Sequence, residues 1–155
     1  MKTWLPAWAS IGVVAVVAAF FFFTYHSPAP PPVASGETEM RSVTIGDREV
    51  YVTIADTEAA REHGLSGRQS LAPDEGMLFI FPSDGKPSFW MKDMRFSIDI
   101  LWLTSEGKVV YIMPNLSPET YPTSYAPPVA SRYVLELPAG TVAKYNVHLG
   151  DIVEL

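Results

Sequence analysis

Gly46-Asp47-Arg48-Glu49-Val50-Tyr51-Val52-Thr53-Ile54-Ala55 first turns and then alternates. Gly-Asp supplies a tight turn, and Val50, Val52 and Ile54 interleave with Tyr51 and Thr53 as a strand with one buried face demands. Upstream, Arg41–Gly46 is also β-rich, so the two runs read as a hairpin. Downstream, Asp56 or Thr57 can cap a short helix over Glu58–His63, which Gly64 can end. β character resumes in Gly76–Phe81, Phe89–Met91 and Ile98–Leu103, and Ser105-Glu106-Gly107 turns the last of these into Val109–Met113. Tyr133–Leu137 and Ile152–Leu155 read as further strands, with a short helical stretch near Thr141–Tyr145. The pattern predicts an α+β, mainly β domain: a strongly bent antiparallel sheet or partial barrel of roughly seven to eight short strands with one or two short helices. Pro114–Pro128 is too long for a tight turn, and such segments act as lids, binding loops or disordered connections.

The chain has 155 residues and no cysteine. That excludes a disulfide framework, a zinc–thiolate or iron–sulfur site, a thiol nucleophile and a cysteine-linked lipid anchor. Lys2 is the sole charge before Glu37, which leaves 10 Lys and Arg against 17 Asp and Glu, a net of −7, for everything after it. So acidic a body is expected to bind no nucleic acid, because phosphate affinity comes from Lys and Arg. Neutral or cationic partners suit it better.

Trp4–Tyr25 is almost wholly apolar and follows Lys2, with no further Lys or Arg until Arg41. The positive-inside rule places the N-terminus in the cytoplasm and the body across the cytoplasmic membrane. A helix over this stretch would be about 33 Å long, enough to cross a hydrocarbon core of about 30 Å. The expected organisation is an N-terminal transmembrane anchor or signal segment over residues 1–26, a Pro-rich spacer over 27–40 and one globular domain over 41–155. The competing reading is a cleaved signal peptide with Ile11–Phe23 as its apolar core, which would leave the domain periplasmic or secreted.

An ordered set of blocks then resembles a known family. Thr57-Glu58, Arg61, Gly64-Leu65 and Arg68 come first, followed by Gly76-Met77-Leu78-Phe79, Phe89-Trp90-Met91-Lys92 and Asp99. Tyr133-Val134-Leu135-Glu136, Ala139-Gly140 and Gly150-Asp151 complete the series. It is similar to the domain of unknown function 192 family, uncharacterised proteins that are often exported or membrane-anchored. The resemblance spans the body and implies shared fold but no established reaction. Ser66, Asp93-Met94 and Ser97-Ile98 depart from the family pattern at the rim of the aromatic block.

Five residues carry the candidate chemistry. In a strand, Phe89 and Met91 share one face while Trp90 and Lys92 share the other. An indole beside an ammonium, with Asp99 near, is a platform for a saccharide or another small neutral polar ligand. Otherwise Trp90 caps the core and Lys92 pairs with Asp99 or Asp93. Arg68, held between glycine-flanked turns, can receive a carboxylate or phosphate or bridge internally to Glu75, Asp99 or Glu136. Glu136 lies in an apolar strand and with Asp99 could form the paired carboxylates of a hydrolase; alternatively it faces solvent or an arginine. His63 and His148 lack metal-ligand spacing, and Met77, Met91, Met94 and Met113 read as packing rather than copper ligands. No Gly-x-Ser-x-Gly elbow, P-loop or dinucleotide glycine pattern is present, so no cofactor and no resident metal are expected. The reading favours an extracytoplasmic binding or interaction module using Arg68, Trp90, Lys92 and Asp99, with hydrolysis through Asp99 and Glu136 as the alternative.

Overall fold

The computed structural model describes Met1 and residues 40–155. The anchor and most of the Pro-rich spacer expected at the N-terminus lie outside the described residues, and among those described no helix is long and apolar enough to cross a membrane. The chain divides into two units, Met1–Ser35 and Gly36–Leu155, and every element below belongs to the second.

The expected first hairpin is formed by β1 (Met40–Ile45) and β2 (Arg48–Ala55), paired from Met40↔Thr53 to Ile45↔Arg48 around Gly46-Asp47. Helix α1 (Glu58–His63) follows at once, with the Thr57 hydroxyl accepting from the Ala60 N–H at 3.1 Å and Gly64 closing it. Strand β3 (Glu75–Gly85) returns to lie parallel to β2. The sheet is therefore mixed rather than wholly antiparallel, because the connection through α1 carries the chain back to start β3 at the same end as β2.

The next elements are β4 (Phe89–Trp90), β5 (Ile98–Leu103), β6 (Val109–Leu116), a 3-10 turn over Pro118–Thr120, β7 (Ser124–Tyr125), β8 (Ser131–Pro138), α2 (Thr141–Lys144) and β9 (Val153–Glu154). Seven strands form one curled sheet in the order β6-β5-β8-β3-β2-β1-β9, and β4 pairs with β7 in a separate two-stranded ribbon. The sheet curls until its ends approach: Lys108 bridges to Ile152, and the Val153 N–H donates to the Gly107 carbonyl at 2.9 Å. Gly107 has φ +77°, and a Cβ there would stand 2.2 Å from the Val153 carbonyl oxygen, so only glycine lets the ends meet so closely.

Alternation along β8 divides the interior in two. Leu135 and Leu137 join Val43, Val50, Leu101 and Val153 on the concave side. Val134 joins Phe79, Met91, Ile100 and Trp102 on the convex side, beneath α1 and the β4–β7 ribbon. This second cluster is what positions the site.

Candidate functional site

A cleft of about 920 Å³ opens on the convex side, between α1 and the β4–β7 ribbon. Its apolar wall is assembled around Phe89, whose ring meets Phe79, Phe81 and Trp102 edge-to-face at centroid distances of 4.8, 6.5 and 5.9 Å. The Trp102 indole N–H donates to the Pro87 carbonyl at 3.0 Å and holds the start of the ribbon down on the sheet. The opposing wall is tied in by Ser66, whose hydroxyl donates to the Lys92 carbonyl at 3.1 Å, and by the Gly67 N–H, which donates to the Asp93 carbonyl at 3.0 Å.

Trp90 and Lys92 both line this cleft. The strand stops at Trp90, yet alternation persists: Met91 is buried while Trp90 and Lys92 are exposed. Trp90 is 53% exposed, so it does not cap the core. The Lys92 ammonium lies 5.8 Å from the Trp90 ring centroid and Tyr121 packs against the indole at 5.9 Å. Tyr121 brings the long Pro114–Pro128 segment to the cleft, and Pro122 and Ser124 from that segment line it.

Glu136 also lines the cleft and is only 5% exposed. Its neighbours across the sheet are Met77 on β3 and Ile100 on β5, which offer no polar group. The Oε2 atom is buried and has no hydrogen-bond partner among the described residues. Burial without a countercharge pushes this carboxyl up to about 8, so it is neutral at pH 7. The β3 backbone packs tightly beneath it, because a Cβ on Gly76 would come within 2.7 Å of the Glu136 carbonyl oxygen.

Asp99 stands elsewhere. It is fully buried, and its register partner is Leu137, whereas that of Glu136 is Ile100, so the two carboxyls project from opposite faces of the sheet. Asp99 Oδ1 accepts the Asn115 and Gly140 N–H groups at 2.7 and 3.2 Å, and Oδ2 accepts that of Val142 at 2.7 Å. It holds the β6 end and the α2 entrance together. The structure thus forms no Asp99–Glu136 carboxylate pair and places no Lys92 or Arg68 partner on Asp99.

Arg68 lies outside the cleft as well. Its Nη2 is 3.4 Å from the Thr53 hydroxyl, in a smaller recess of about 180 Å³ shared with Tyr51 and Glu75. Thr53, Met77 and Glu136 form one row across β2, β3 and β8, so Met77 separates the Arg68 contact from Glu136. Of the five sequence candidates, the fold brings together Trp90, Lys92 and Glu136. Arg61 joins them without having been singled out: it stacks 5.4 Å above the Phe81 ring, and its Nη1 donates to the Asp56 carbonyl and, at 2.9 Å, to that of Ile80. Its place in the Thr57–Arg68 block was its only sequence signal. Among the described residues, no three His, Cys, Asp or Glu side chains are grouped to hold a metal ion.

Fold and site define a mainly β domain with an aromatic cleft on the outer face of a curled half-barrel. Residues 41–155 match DUF192, described as Uncharacterized ACR, and the chain belongs to that family. A UPF0127 protein of Pyrococcus abyssi is 33% identical over 108 residues, covering 68% of this chain and 86% of the relative. A UPF0127 protein of Thermococcus gammatolerans is 29% identical over 105 residues, 66% of this chain. The chain spans 65, 64 and 62% of the length of three Thermococcus relatives. A solved protein of unknown function from Novosphingobium aromaticivorans is 27% identical with a TM-score of 0.71, covering 82% of this chain and 91% of that one. Another, from Sinorhizobium meliloti and provisionally described as a transcription regulator, is 33% identical with a TM-score of 0.68, covering 73% and 89%.

Proposed function

We propose that this domain is a binding module rather than an enzyme, taking a small neutral polar ligand, with saccharides among the candidates, in the cleft walled by Trp90 and Lys92. The observation that carries the reading is Glu136: a buried, unpartnered carboxyl beside aromatic rings is a polar group awaiting a partner. Trp90 adds a planar contact surface that orders at low entropy cost. Asp99 gives no support to acid/base chemistry, since three backbone N–H groups occupy it. The net charge of −7 after Lys2 argues against nucleic acid as the ligand.

A thermal-shift screen against saccharides and other neutral polar compounds tests the site. Trp90→Ala is expected to abolish ligand-induced stabilisation while costing under about 1.5 kcal/mol in urea unfolding, since the indole is half exposed. A large stability loss with an unchanged ligand response would retire the site.

The same proposal places the domain outside the cytoplasmic membrane, held by the apolar Trp4–Tyr25 segment. An alkaline-phosphatase fusion after Gly36 should be active and should stay with membranes through carbonate washing. An inactive fusion would reverse the orientation, and release by the wash would replace the anchor with a cleaved signal.

A further inference from the structure

The geometry points to an amide as the ligand group that seats on Glu136, its carbonyl accepting the carboxyl O–H and its N–H donating to the other carboxyl oxygen. This rests on the cleft being the binding site. Met77 and Ile100 flank it along the sheet, and Oε2 finds no partner.

The charged and titratable groups around the cleft are Glu58, Arg61, Glu62 and His63 from α1, with Lys92 and Asp93 after β4. The two cations are engaged, Arg61 with backbone carbonyls and the Phe81 ring, Lys92 with the Trp90 ring. From β5, Asp99 points to the other face, and β7 contributes Ser124 to the lining. With no countercharge beside it, the Glu136 carboxyl remains neutral at pH 7.

A neutral carboxyl offers one donor and one acceptor side by side. An amide complements both at once. A hydroxyl engages one productively, a carboxylate adds negative charge to a cleft already lined by Glu58, Glu62 and Asp93, and an ammonium or guanidinium requires the carboxyl to ionise where water is excluded. The planar amide also suits the flat aromatic wall.

Three probes of similar size separate these chemistries: benzamide, benzylguanidinium and benzoate, titrated calorimetrically into the full chain in detergent. A His63→Gln background removes the rim imidazole. Benzamide should bind, and its affinity should fall about tenfold from pH 7 to pH 9 as Glu136 loses its proton. Glu136→Gln, which keeps a donor beside an acceptor, should bind benzamide with no pH dependence over that range. Glu136→Leu should lose at least about tenfold in affinity, the usual scale for a lost buried hydrogen bond. Preference for benzylguanidinium, tightening as pH rises, would overturn the amide assignment while leaving the cleft as a site, provided Trp90→Ala removes it. A benzoate preference, or benzamide binding unchanged in Glu136→Leu, would also overturn it. If no probe binds, the amide assignment falls, and the binding-module reading is decided separately by the thermal-shift screen.

Discussion

Glu136→Gln is expected to stabilise the domain by about 3–5 kcal/mol above pH 8 and to change it little near pH 4. The carboxyl titrates near 4.5 when the chain is unfolded and near 8 when folded, because burial disfavours its charged form. Between those values the folded state binds more protons than the unfolded state. The stability associated with the neutral carboxyl is therefore fully present below pH 4.5, drains away as pH rises and is gone above pH 8. Glutamine has nothing to ionise, so the variant skips that loss. Urea unfolding of both proteins from pH 4 to pH 9 gives the difference directly, and other titrating groups cancel in the comparison. A difference that stays flat with pH would mean that water or a rearranged side chain already solvates the carboxylate.

Asp99→Ala should be the most damaging single truncation of a polar side chain, costing about 3–5 kcal/mol in the same assay. Three part-buried backbone N–H groups, from Asn115, Gly140 and Val142, lose their acceptor together, and an orphaned donor shielded from water costs about 1–3 kcal/mol. Asp99→Asn should fall between, because its carbonyl oxygen can still serve Asn115 and Gly140 while its amide nitrogen confronts the Val142 N–H. A loss below about 1 kcal/mol for the alanine variant would show that solvent reaches these amides unaided.

Local chemistry wrote much of this fold legibly. Gly46-Asp47 and the Thr57 cap act within a few residues and stand where the sequence places them, and Val50, Val52 and Ile54 share one face as the alternation predicts; the other face is not left to solvent, because Thr53 and Ala55 are buried on it. The parallel β2–β3 pairing is a property of the whole connection through α1, and no local pattern encodes it. The strands expected to stop at Phe81 and Met113 run on through Pro82 and Pro114. Pro82 lies where the β3–β8 register shifts, and Pro114 lies in β6, at one end of the strand order. β7 is two residues long inside a loop, too short to announce itself. The site divides in the same way. Alternation put Trp90 and Lys92 together and sent Phe89 inward, but whether Asp99 and Glu136 meet depends on the β5–β8 register, where one residue changes the face.

The place of β8 has a kinetic consequence. It is the last long strand in the chain, yet it lies between β5 and β3, and β3 ends at Gly85, well before β8 begins at Ser131. The sheet cannot be laid down strand by strand in order of appearance. Until β8 inserts, β3 and β5 each present an unsatisfied row of backbone donors and acceptors, a template for pairing with another copy. Closing so long a loop must precede the reward of the contacts it makes, so folding of this domain belongs on the millisecond-to-second scale of non-local β topologies.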